Sequence, residues 1–97
     1  MLEHIVCLIL KKEQFVPAVR EDIESLADIV RSELDFSFEN RVFFLDMEQS
    51  HTVIAVSVWI FQSPEARDLF QNSKAHLSHI SRLKPVLIDK MICDRSF

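Results

Sequence analysis

The stretch from Val53 to Asp94 constrains this chain most. An apolar run, Val53-Ile54-Ala55-Val56-Ser57-Val58-Trp59-Ile60, stops at Ser63-Pro64-Glu65. Ser63 suits an N-cap, because its side-chain oxygen can accept a backbone N–H that a helix start leaves free, and Pro64 is tolerated in the first turn. A helical pattern follows, with Ala66, Leu69 and Phe70 expected to face the core. Asn72-Ser73 kinks or breaks it. The pattern resumes as Ala75-His76-Leu77-Ser78-His79-Ile80, and Leu77, Ile80 and Leu83 continue the apolar stripe. Leu83-Lys84-Pro85-Val86 then leads into a last strand over 86–94. This is strand, capped helix, strand, with one histidine, His76, where the helix breaks.

The first half completes the pattern. Residues 4–11 are nearly all apolar and read as a strand covered on both faces. Alternation sets His4, Val6, Leu8 and Leu10 on one face, expected to point into a barrel, and Ile5, Cys7 and Ile9 on the other, toward the helices. Pro17 starts a helix over 16–34, in which Val19, Ile23, Leu26, Val30 and Leu34 recur at helical spacing while Glu21, Asp22, Glu24, Asp28, Arg31 and Glu33 form the wet side. Residues 36–48 read as a long strand, bulged near Asn40. Gln49-Ser50-His51 is a tight connection, and 52–60 completes a hairpin. The order βαββαβ with right-handed crossovers predicts an α+β, ferredoxin-like antiparallel sheet, strand order 4-1-3-2, with two helices on one face. At 97 residues the chain is a single domain over 1–97. Hydrophobic residues make up 48% of it, more than a small monomer can hide, and the second sheet face has no cover of its own. Two such sheets facing each other give a homodimer, a dimeric α/β barrel.

Several function classes fall away. Glycine is absent, and phosphate-cradling loops need it for positive φ and close backbone approach, so a Walker A loop or a Rossmann fingerprint is excluded. The net charge is −4 with scattered Lys and Arg, which argues against nucleic acid and against a membrane surface. No segment is long enough to span a bilayer. The N-terminal apolar run Ile5–Leu10 is short and follows Glu3 and His4, so no signal peptide is expected and the location expected is cytoplasmic. Cys7 and Cys93 lie in strand patterns and are expected to be reduced core thiols, with a disulfide open if strands 1 and 4 are neighbours.

Particular residues also resemble a known family. The strand ending Val58-Trp59 followed by Ser63-Pro64-Glu65-Ala66 resembles the antibiotic biosynthesis monooxygenase domain. Ala75-His76, Lys84-Pro85-Val86-Leu87 and Asp94 resemble both that domain and its sister, the stress-responsive dimeric α/β-barrel domain, while His4-Ile5-Val6 is more like the sister. The first resemblance implies cofactor-independent oxidation of aromatic or quinol compounds. Its haem-degrading branch relies on a first-strand Asn, which this chain lacks. The second implies a cyclase similar to olivetolic acid cyclase, with one His near the start of strand 1 and another in a Pro-Ala-His segment of the last helix. Those positions match His4 and His76, with Lys74 in place of the proline. Tyrosine is absent, so any tyrosine used by relatives is missing.

The candidate catalytic residues are therefore His76 and His4. His76 is either a general acid/base near neutral pH or a histidine that closes the helix break on a free carbonyl. His4 is either its assistant or a strand-end group half in water. Trp59, Phe36 and Phe38, with Val6 and Leu8, are the substrate-binding candidates for a flat apolar ligand; with Phe43 and Phe44 they serve equally as core and dimer interface. Glu39 and Arg41 share a strand face and either pair across a dimer or, by default, lie on a solvated edge. His76 and His79 share a helical face without a third ligand, so no metal is expected. Ser57 has no base implied nearby, and Cys7 is expected to face the helices and not the pocket, which leaves acyl transfer without support. The leading expectation is a monooxygenase-like oxidoreductase without a bound cofactor, acting on an apolar aromatic or quinol-type small molecule. The alternatives are a cyclase or isomerase using His4 and His76, and a non-catalytic binding or structural dimer whose interior is filled by its own eight Phe and one Trp.

Overall fold

A computed structural model describes residues 1–48 and 50–97. Its elements in order are β1 (Leu2–Leu10), a 3-10 turn (Glu13–Phe15), α1 (Val16–Glu33), β2 (Phe38–Met47), β3 (Thr52–Phe61), α2 (Pro64–Gln71), α3 (Lys74–Leu83), a second 3-10 turn (Lys84–Val86) and β4 (Leu87–Ser96). The four strands form one antiparallel sheet in the order β2-β3-β1-β4, the expected ferredoxin-like α+β arrangement.

Among the described residues there are three helices where two were expected. Ser63 caps α2 by accepting the N–H of Ala66 at 3.2 Å. Asn72 ends it, and Ser73 caps α3 by accepting the N–H of His76 at 3.2 Å. The break resets the helical phase. Ala66 and Phe70 are buried on α2, but Leu69 is exposed; on α3, His79 and Leu83 are buried and Leu77 is exposed. A single stripe carried across the break had placed Leu69 and Leu77 inside. Strand β2 shows no bulge: it runs in unbroken register with Asn40 opposite Trp59, and the irregularity lies between Ile9 and Leu10 against β4. Of the expected hairpin connection, Gln49 lies outside the described residues. Ser50 N–H donates to the carbonyl of Met47 at 3.0 Å, and His51 takes a left-handed φ of 54° that glycine would otherwise supply.

The sheet faces are the reverse of the expectation. His4, Val6 and Leu8 lie beneath the helices, in register with Trp59, Ser57 and Ala55. Cys7 points to the open face beside Val56 and Met91. Both faces of β1 are apolar, so alternation divides its residues without saying which set meets the helices. What decides is β3, whose Trp59 and Phe61 pack with Phe70 of α2 at ring distances of 4.6 and 5.2 Å. Val19, Ile23, Leu26 and Val30 of α1 complete that core. On the open face Phe43, Leu45, Met47 and Met91 are exposed. Cys7 is half-buried and Cys93 exposed, both free, so neither is a core thiol of the single chain.

Candidate active site

Between the helix-side face of the sheet and α3 lies a cavity of about 450 Å3, open alongside β4. Its wall is formed by His4, Val6 and Leu8 of β1, Ser57 and Trp59 of β3, Phe70 of α2, and His76, His79, Ile80 and Leu83 of α3. The local sequence explains the opening. Helix α3 is held to α1 at one end and to α2 at the other, and its short 3-10 exit sends the chain into β4, whose residues beyond Leu87 are exposed. Of the expected site residues, the fold therefore brings together His76, His4, Trp59, Val6 and Leu8. Phe36 and Phe38 do not border the cavity; they pack against Phe61 at 6.0 Å each, with Phe38 under the Arg31 guanidinium. Phe43 and Phe44 stand apart as well.

Each of three histidines is held through Nδ1. His76 donates Nδ1–H to the carbonyl of Gln71 at 3.0 Å, the last residue of α2. Because a carbonyl only accepts, this bond sets the tautomer and leaves Nε2 as an acceptor. The residue thus closes the helix break on a free carbonyl, as one of its two sequence readings had it, and its second ring nitrogen is left as an acceptor. His4, only 1% exposed and not half in water, pairs through Nδ1 with Oδ1 of Asp94 at 2.6 Å. Asp94 is anchored in turn by Arg67 at 2.6 Å. His79 pairs through Nδ1 with Oδ1 of Asp22 at 2.7 Å, and Arg82 clamps that carboxylate at 2.8 and 3.0 Å. Among the described residues no other hydrogen bond engages Nε2 of the three rings. Trp59 donates its indole N–H to Ser57 at 3.2 Å. Among the described residues, no three His, Cys, Asp or Glu side chains cluster with metal-holding geometry.

Burial pushes His76 below its ordinary 6.5; the Gln71 carbonyl opposes this, and the fields of His79, His4 and Lys90 add to it. Burial likewise lowers His79 against the pull of Asp22. Asp22 is lowered, chiefly by the hydrogen bond from Arg82. That guanidinium already balances the carboxylate, which lets His79 stay neutral while donating Nδ1–H. An imidazole with a lowered value remains a base at pH 7 and below. Following the ring protons of His76 by NMR through acid titration should give a midpoint below 6.5. A midpoint at or above that value would mean water reaches the ring freely. The linkage has a definite sign: both groups bind protons less readily folded than unfolded, so their contribution to stability is complete above about pH 6.5 and declines as pH falls through that value.

Sequence reasoning missed the carboxylates behind the histidines. Asp22 had been placed on the wet side of α1, yet it reaches residues 57 and 60 positions away. Asp94 had entered only through the resemblance. The sole local signal for either was an acid at a helix or strand position that register brings beside a histidine, as His4 opposite Asp94 shows.

Solved structures share this architecture. A dimeric ferredoxin-like protein of unknown function from Jannaschia sp. CCS1 superimposes with a TM-score of 0.79 at 20% identity, over 99% of this chain and 98% of its own. An antibiotic biosynthesis monooxygenase does so with a TM-score of 0.71 at 14% identity, over 100% and 98%. The chain thus shares its fold with proteins described as dimeric ferredoxin-like and with antibiotic biosynthesis monooxygenases. The de novo designed protein Foldit4 has it too, with a TM-score of 0.72 at 14% identity over 99% and 97%, so the fold carries no reaction with it. No protein-family model matches the sequence, and no curated protein does.

Proposed function

We propose that this chain is a monooxygenase-like enzyme that needs no bound cofactor and acts on an apolar aromatic or quinol-type small molecule. The supporting observation is the open cavity in which His76, with a free Nε2 and a lowered pKa, faces Trp59 and Phe70 across apolar walls. A self-filled interior, as the structural-dimer reading requires, would leave no such space. In the proposed reaction His76 Nε2 takes a proton from an acidic ring hydroxyl or an activated ring methylene. The resulting electron-rich anion passes electrons to dioxygen directly. For a methylene the balance is substrate plus O2 giving ketone plus water, the substrate supplying all four electrons. His4, buried and oriented by Asp94, is placed to return a proton to the leaving oxygen. Oxygen uptake with a panel of quinols and ring-activated methylenes, compared between the native chain and His76→Ala, tests this.

A second reading rests on the His4–Asp94 pair. A base at His76 and a carboxylate-oriented acid at His4 on one cavity also suit a cyclase or isomerase, which moves protons without oxygen. Product formed in the absence of oxygen would select that reading.

The catalytic unit in this proposal is a homodimer closed through the open sheet face, as structural neighbours described as dimeric suggest. Sedimentation should give twice the 11.3 kDa protomer mass. Met91→Arg, a charge at an exposed position of that face, should shift it to monomer. A native monomer at micromolar concentration overturns the barrel assembly.

A further inference from the structure

The cavity differs in charge from the rest of the molecule. The chain has 11 Lys and Arg against 15 Asp and Glu, yet the titratable groups bordering the cavity are His4, His76, His79, Lys84, Lys90 and a single carboxylate, Asp89. Asp89 is engaged locally, its Oδ1 accepting the backbone N–H of Lys90 at 2.7 Å. The two acids behind the histidines are already matched, Asp94 by Arg67 and Asp22 by Arg82. By contrast, among the described residues neither Lys84 nor Lys90 has an ion-pair partner. Lys84 at the C-terminal end of α3 also answers the helix dipole. Lys90 has no such reason to be there: it sits on β4 opposite Leu8, on the helix side of the sheet, between the apolar neighbours Ile88 and Ile92 at the cavity mouth. Its charge is felt inside, as one of the fields that disfavour protonation of His76.

From this placement, and resting on the small-molecule site proposed above, we infer that the ligand is an amphipathic aromatic acid. Its ring lies against Trp59 and Phe70, and its carboxylate sits at the mouth between Lys84 and Lys90. The arrangement orients the ligand: the charged end stays in water beside the ammonium groups, and the far end of the ring is delivered to Nε2 of His76. A neutral ring of the same size would bind without a fixed direction, because the inner wall is apolar and offers it few polar contacts.

Trp59 is the single tryptophan and it lines the cavity, so its fluorescence reports occupancy. The probes are 4-butylbenzoate and its neutral match 4-butylbenzamide, titrated at pH about 8, where ordinary imidazoles are neutral and the lysines charged, with calorimetry in parallel. The acid should bind about tenfold more tightly than the amide. The preference should weaken with added salt, since exposed charges are screened. Lys84→Gln with Lys90→Gln should remove it while leaving amide binding unchanged, and Lys90→Arg should retain most of it. Both lysines are exposed, so the fold is not at stake in these variants. Equal binding of acid and amide, or an acid preference that survives the double substitution, overturns the inference while leaving the cavity reading intact. Failure of both probes to bind, by quenching and by heat, overturns the small-molecule site itself and the inference with it.

Discussion

His76→Ala is expected to lower turnover about 100- to 10,000-fold, the range that one positioned acid/base group contributes, with KM changed little. The reasoning starts from tautomer and location. Nδ1–H is committed to the Gln71 carbonyl, so Nε2 is the basic atom, and burial keeps it unprotonated at neutral pH. Alanine removes that base without removing the apolar walls that hold the ring of a ligand. The fold should tolerate the change. The Gln71 carbonyl ends a helix, where water can replace the imidazole, and a net hydrogen bond is worth only about 1 kcal/mol. Oxygen-electrode rates over substrate concentration separate kcat from KM. His51→Ala, in the hairpin connection remote from the cavity, serves as the matched control. Added imidazole should restore part of the rate to the alanine variant, because the missing side chain leaves room for it. A variant that keeps full turnover would assign His76 to the helix break alone.

Much of this arrangement could be read before any coordinates, and the reasons are local. Ser63-Pro64 marks a helix start by its own chemistry, and Asn72-Ser73 marks a break. The βαββαβ order plus the handedness rule then leaves few topologies, and the strand order followed. What stayed hidden depends on contacts far apart in sequence. The two apolar faces of β1 look alike in one dimension, so Cys7 and His4 were assigned to each other's sides. Leu69 lies off the Ala66–Phe70 line of α2, and the phase change across Ser73 turned Leu77 outward, which no single-stripe reading anticipates. Phe36 and Phe38 satisfy the compositional picture of a pocket lining but sit with Arg31 and Phe61 at the far end of the core. The pairing of His79 with Asp22 and of His4 with Asp94 needed the helix packing and the strand register. His76 was legible because its position, at a helix break in an apolar stripe, is itself a local feature.

Phe70→Ala is expected to cost about 3–5 kcal/mol of stability, a large share of the 5–15 kcal/mol typical of a domain. Phe70 is 1% exposed. Its ring lies 4.6 Å from Trp59, 5.2 Å from Phe61, 4.6 Å from His76 and 6.3 Å from His4. Helix α2 is short and buries only Ala66 and Phe70, so this one ring attaches it to the sheet and cannot be replaced by neighbours sliding inward. Loss of stability should show as a lower urea midpoint at unchanged slope, measured at one fixed protomer concentration because association stabilises by mass action. Phe70→Leu, which keeps most of the volume, should cost less than about 1.5 kcal/mol. The same two variants bear on function. Phe70 is the side chain that packs on both histidine rings, so at temperatures where each variant is still folded, alanine should impair turnover more than leucine. A Phe70→Ala variant that unfolds within about 1 kcal/mol of the native chain would mean that α2 is held by something other than this ring. In that case the helix break, and the orientation of His76 that depends on it, would need a different anchor.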